Sequence, residues 1–120
     1  MHGVMNTTGR NNARQLRGRH HNPAFMTPLD LEVLGLDDGD IIRIASRHGE
    51  IAAIVESEDA IKRGVISMSH CFGGTDPDCP TDVREAGANT GLLSSVEHEY
   101  DPHSGIPRMS AIPVRISRGA

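Results

Sequence analysis

The groups best suited to holding a ligand stand near the start of the chain. Asn6-Thr7-Thr8-Gly9-Arg10 puts an amide, two hydroxyls and a guanidinium on one loop that glycine leaves free to turn. Arg10, Arg14, Arg17 and Arg19 lie within residues 1–21, where there is no acid; the remainder carries eight basic and sixteen acidic residues. An arginine-rich arm on an acidic body suits an anion such as phosphate or pyrophosphate. The same pattern also fits a solvated terminal segment. His70, Cys71 and Cys79, joined by His98 or His103, offer zinc-ligand types, but seven residues separate the cysteines, unlike the tight spacing of zinc or iron–sulfur sites. A disulfide across that loop is open to them, with free thiols as the default. No Gly-x-Ser-x-Gly elbow and no P-loop lysine motif is present.

These groups need a scaffold, and 120 residues supply one domain with a modest core. Residues 10–21 read as a basic loop within that single 1–120 domain. The only aromatics are Phe25, Phe72 and Tyr100, so the core is expected to be aliphatic, with Ile41, Ile44, Ile51, Ile54, Val65 and Ile66 as its simplest members. No apolar run reaches membrane-spanning length and no secretory start is evident, which points to the cytoplasm. The acidic body and the missing stacking aromatics argue against nucleic acid as partner.

The clearest structural unit is Asn22 to Glu56. Thr27 then Pro28 marks a helix start, Gly35 a stop, and Leu31 and Leu34 are predicted to share its buried face. Leu36-Asp37-Asp38-Gly39-Asp40 is a turn into a strand through Ser46, where Ile42 and Ile44 alternate with Arg43 and Ala45. Arg47-His48-Gly49 connects to a partner strand, Glu50 to Glu56. Further strands are predicted over Val65 to His70, from Leu92 through Val96, and over Met109 to Ser117, where Pro113 marks an edge or a break. Val83 to Ala88 allows one helical turn inside the long 71–92 loop. Many short strands with irregular crossings predict a mainly β chain, an all-β barrel with one or two short helices.

The run Leu34 to Ser46 followed by Gly49 resembles the helix–turn–strand unit of double-psi β-barrels. With Asn22-Pro23 and Pro28-x-Asp30 upstream, and Gly64 to His70, Asn89-x-x-Leu92, Asp101-Pro102-x-Ser104 and the closing strand downstream, it is similar to the C-terminal domain of molybdopterin-dependent oxidoreductases, the formate dehydrogenase, nitrate reductase and dimethyl sulfoxide reductase group. The resemblance covers nearly the whole chain. It implies binding of a molybdopterin guanine dinucleotide, with molybdenum or tungsten held mainly by the cofactor and another domain. A pyrophosphate, a fused heterocycle and a nucleobase call for amides, hydroxyls and an arginine rather than a proton-transfer dyad.

Residue by residue, the resemblance implies that Asn6, Thr7, Thr8, Gly9 and Arg10 form the cofactor-contacting loop at the domain entry. His70 leads into a loop near the pterin, and Asn89 corresponds to the family's cofactor-contacting Asn. Where many members carry a lysine after an aromatic residue, this chain has Met109-Ser110, with Arg108 as the charge that could substitute. Nothing resembles the family's iron–sulfur cysteines or its metal-ligand segment. The chain is therefore expected to have no catalytic residue and no turnover alone, being an excised domain or a small subunit completing a larger partner. The other reading is a double-psi barrel interaction module that binds protein or nucleic acid without a pterin.

Overall fold

A computed structural model describes residues 20–74 and 82–119. The predicted loop Asn6 to Arg10, most of the basic segment and Cys79 lie outside the described residues. The elements are β1 (Ala24–Met26), α1 (Pro28–Leu34), β2 (Ile41–Ala45), β3 (Glu50–Ser57), α2 (Val83–Ala86), a 3-10 turn (Thr90–Leu93) and β4 (Arg115–Arg118). The chain is mainly β, and its four strands form one mixed sheet in the order β1-β3-β2-β4. β1 runs parallel to β3, whereas β2 is antiparallel to both β3 and β4. Among the described residues no helix is long and apolar enough to cross a membrane.

Helix α1 has the predicted bounds, but its start is held differently. The Thr27 hydroxyl makes no capping bond; the Thr27 carbonyl accepts from the amides of Asp30 and Leu31 at 3.0 and 3.2 Å. Asp30 accepts the Gly64 amide at 2.6 Å, tying the first turn to the 63–64 turn. At the other end Gly35 takes a left-handed conformation, and the Leu36 amide reaches back to the Leu31 carbonyl at 2.9 Å. That reversal places Leu36 beside Leu31 in the core, while Leu34 is left 44% exposed. The expected Leu31–Leu34 face is thus replaced by a Leu31–Leu36 pair.

The β2–β3 hairpin forms as predicted. Ser46 organises its turn, with Oγ accepting from the amides of His48 and Gly49 at 3.0 and 3.2 Å. Ile42, Ile44, Ile51, Ala53 and Val55 enter one core cluster with Ala24, Met26, Leu31 and Leu93. Ile42 is fully buried, whereas Ile41 is only half-buried and stands opposite Ile54 in the ladder. Val65, expected in the core, is 45% exposed.

Three predicted strands are shorter or absent. The 65–70 segment pairs at one bridge, Ser67 with Phe25, because the β1 edge it meets is only three residues long. After Leu92 the chain forms turns rather than a strand. The closing strand begins at Arg115, just past Pro113, which has no amide to donate to a ladder.

Candidate ligand site

The site is assembled around a buried amide. Asn22 is 1% exposed. Its Nδ2 donates to the carbonyls of Ser69 at 2.7 Å and Ala88 at 3.0 Å, and its Oδ1 accepts the Ala88 amide at 2.8 Å. One side chain therefore fastens two loops distant in sequence. The same crossing is laced by the Gly73 amide, which donates to the Ala86 carbonyl at 2.8 Å. Helix α2 leads into it, its first turn capped by Asp82, which accepts the Arg84 amide at 2.9 Å.

The crossing brings His70 to the Asn89–Thr90 corner. His70 Nδ1 lies 3.1 Å from Thr90 Oγ1. Asn89 caps the 3-10 turn, with Oδ1 accepting the Gly91 amide at 3.0 Å while Nδ2 donates to the Gly74 carbonyl at 3.2 Å. Asn89 thus spends one bond in each direction on holding its own corner.

His70 and Thr90 line a cleft of about 820 Å³, and Ser110 lines it too. Buried Met26, Ile44 and Leu93 supply apolar depth, and residues 64–68 and 109–114 form long stretches of the lining. The cleft is apolar with a sparse polar rim, the usual make-up of a small-molecule site. Of the predicted residues the structure describes, His70 and Ser110 thereby line one cleft, and Asn89 stands beside it, capping the turn that carries Thr90. Arg108 lines a second, more open cavity of about 660 Å³ with Glu99, Tyr100, Asp101 and Ser104. Its Nη2 donates to the Ala111 carbonyl at 2.6 Å and its Nε to the Ser110 carbonyl at 3.4 Å.

Among the described residues no three His, Cys, Asp or Glu side chains gather as a metal site. His98, a candidate zinc ligand by sequence, stacks on His48 with ring centroids 6.1 Å apart. Cys71 carries a free, exposed thiol.

The Asp101-Pro102-x-Ser104 segment folds into a carboxylate-centred turn. Asp101 Oδ1 accepts the Ser104 amide at 2.8 Å, the Ser104 hydroxyl at 3.0 Å and the His103 amide at 2.9 Å. These bonds, the Ser104 amide first, then its hydroxyl, then His103, hold the carboxyl below its ordinary value of 3.8. The turn's carboxylate bonds are therefore complete above pH 3.8 and are lost as pH falls through the lower folded-state value. An NMR pH titration is expected to place the Asp101 midpoint below 3.8, with the Ser104 and His103 amide shifts following it. Asp101→Asn is expected to abolish that titration, and a midpoint at or above 3.8 would contradict the geometry.

Sequence reasoning missed three parts of this site: Asn22 as a buried strut, Thr90 as the partner of His70, and Gly87 as the point of closest packing. Asn22-Pro23 stands out as a motif in the sequence, but asparagine is mostly exposed in folded proteins, and nothing local marks its burial or its partners.

Known proteins resemble this chain over most of its length. Residues 1–113 match the family described as "Molydopterin dinucleotide binding domain". The dimethyl sulfoxide/trimethylamine N-oxide reductase of Rhodobacter capsulatus is 33% identical over 87 residues, 72% of this chain and 10% of that protein. The F420-dependent formate dehydrogenase subunit alpha of Methanocaldococcus jannaschii is 30% identical over 93 residues, 78% of this chain and 12% of that protein. The fold is similar to part of acetylene hydratase from Pelobacter acetylenicus, with a TM-score of 0.75 and 17% identity, covering 99% of this chain and 17% of the other. The chain spans about a tenth of the length of the two curated relatives.

Proposed function

The chain belongs to the molybdopterin dinucleotide-binding domain family, and on that premise we propose that it holds one end of a molybdopterin guanine dinucleotide as the C-terminal domain or a small subunit of a molybdenum or tungsten oxidoreductase. The observation that carries the reading is the convergence of His70, Thr90 and Ser110 on one cleft, with the first two fixed by the Asn22 crossing. The donor set fits such a group. An apolar cleft suits a flat heterocycle, and an imidazole and hydroxyls at its rim suit the polar edges and the phosphates. His70 and Ser110 would hold the group directly, Asn89 through the corner it caps, and Asn6, Thr7, Thr8, Gly9 and Arg10 from the entry loop. When bound, the cofactor supplies the metal at which redox chemistry occurs, with the rest of the metal's surroundings from other domains. This chain's own part is to bind and orient.

A double-psi β-barrel belongs to the same proposal. A parallel β1–β3 pair in an otherwise antiparallel sheet supports it, because such a pair requires a crossing connection rather than a hairpin.

Titrating molybdopterin guanine dinucleotide into the isotope-labelled chain tests the reading. Amide shifts are expected at His70, Asn89, Thr90 and Ser110, and in the Asn6–Arg10 loop. Shifts confined to the surface of residues 58–63, or none at millimolar ligand, would overturn it.

A further inference from the structure

Arg108 is the one described arginine that the sequence assigns to the ligand, yet its bonding points elsewhere. Its guanidinium grips the backbone of its own loop, donating to the Ala111 carbonyl at 2.6 Å and the Ser110 carbonyl at 3.4 Å. Ala111 has φ +51°, a left-handed conformation that a non-glycine residue rarely adopts without outside support. On the far side Arg108 meets Glu99 twice, its backbone amide donating to the Glu99 carbonyl at 2.8 Å and its guanidinium forming a longer ion pair with the carboxylate. Its Nη1 lies 3.8 Å from Glu99 Oε1, and Glu99 also meets His48 at 3.3 Å and Arg47 at 3.9 Å in the β2–β3 turn. Residues 109–114, which the guanidinium closes into a bend, are a continuous stretch of the cleft lining.

We infer that Arg108 is a positioning residue: it clamps the bend at Ser110 and Ala111 against the hairpin through Glu99, and so fixes one wall of the ligand cleft without touching the ligand. Where the ligand lies rests on the proposed function; the clamp itself does not. A planar fork can bond two carbonyls and a carboxylate together, which a lysine ammonium at the end of a flexible stem cannot reproduce. Arg108→Lys therefore separates the two roles. A contact by charge survives the exchange in large part and weakens with salt; a clamp fails in both lysine and glutamine variants and is insensitive to salt at the ligand.

The test uses the full chain, isotope-labelled, as wild type, Arg108→Lys, Arg108→Gln and Glu99→Gln, with guanosine diphosphate as the probe. Backbone relaxation is expected to show increased mobility across Met109 to Val114 in both Arg108 variants, and less in Glu99→Gln. Affinity for the probe is expected to fall about fivefold in both Arg108 variants, equally at low and high salt, a loss of about 1 kcal/mol. An Arg108→Lys chain that keeps both wall order and affinity while Arg108→Gln loses affinity alone would overturn the clamp in favour of a direct charge contact. Unchanged relaxation in both variants would also overturn it. Should wild type not bind the probe while the wall loosens in both variants, the clamp stands and the ligand reading fails.

Discussion

Asn22→Ala is expected to lower the stability of the domain by about 3 kcal/mol or more, because one truncation strands three backbone groups. The Ala88 amide and the carbonyls of Ser69 and Ala88 all rely on the Asn22 side chain. A buried polar group left without its partner costs roughly 1–3 kcal/mol. Water reaching the half-buried Ser69 end offsets part of the sum, which is why the expected loss lies near the lower end for three groups. Against a total stability of roughly 5–15 kcal/mol for a domain of ordinary stability, that is a large fraction. The effect should extend to the cleft, since the His70–Thr90 contact depends on residues 69 and 88 being held together. Asn22→Asp adds a sign. Its carboxylate would face two carbonyls where the amide donated, so the protonated form is favoured and the folded-state value is raised above the ordinary value of about 3.9. The variant should then be most stable below that ordinary value and lose stability as pH rises through the raised one. Denaturant unfolding at about pH 3 and 7 measures both effects; a cost for Asn22→Ala under about 1 kcal/mol would show that the bonds are replaceable by water.

Much of the scaffold was legible because its signals are local. Thr27-Pro28 and Gly35 delimit α1 by backbone geometry alone, and alternation at Ile42 and Ile44 marks β2. The misread segments depend on distant partners. Val65 and Ile66 have the β-branched character of a strand, but a strand needs an edge of comparable length, and β1 offers three residues. Met109 to Ile112 read as the start of the closing strand, yet Arg108 takes the carbonyls of Ser110 and Ala111, and Ala111 leaves the extended region altogether. In the site, His70 and Asn89 could be named from family resemblance, but nothing local says that the loop of one and the corner capped by the other meet, through His70 and Thr90. Their meeting is decided by Asn22, 66 residues from Ala88. Arg108 stands out in the sequence only as a charge for the ligand, whereas its partners in the fold are carbonyls that carry no sequence signal at all.

Gly87→Ala is the second large effect expected, and it arises from the same crossing by the opposite route, too much matter rather than too little. Gly87 has φ +75° and ψ −167°, a region open essentially to glycine alone. A β-carbon there would lie 2.5 Å from Asn22 Oδ1 and 3.0 Å from both the Asn22 backbone nitrogen and Phe72 Cβ. Asn22 and Phe72 are 1% and 3% exposed, so neither can swing aside into solvent. The backbone strain costs roughly 1–3 kcal/mol and the overpacking roughly another 1–3, for an expected loss of about 4 kcal/mol. Gly35→Ala is the matched control. Gly35 also has positive φ, at +65°, but nothing lies within 4 Å of a β-carbon built on it. Only the left-handed backbone penalty remains there, roughly 1–2 kcal/mol. The difference between the two variants thus combines the packing of the crossing with the extra backbone strain of Gly87, whose ψ of −167° lies outside the left-handed region that Gly35 occupies. Combined with Asn22→Ala, which removes the carboxamide that the new methyl strikes, Gly87→Ala should cost measurably less than it does alone, since neighbouring substitutions that share a contact are not additive. Equal costs for Gly35→Ala and Gly87→Ala would mean that the crossing yields to an added methyl and that its tightness does not hold His70 in place.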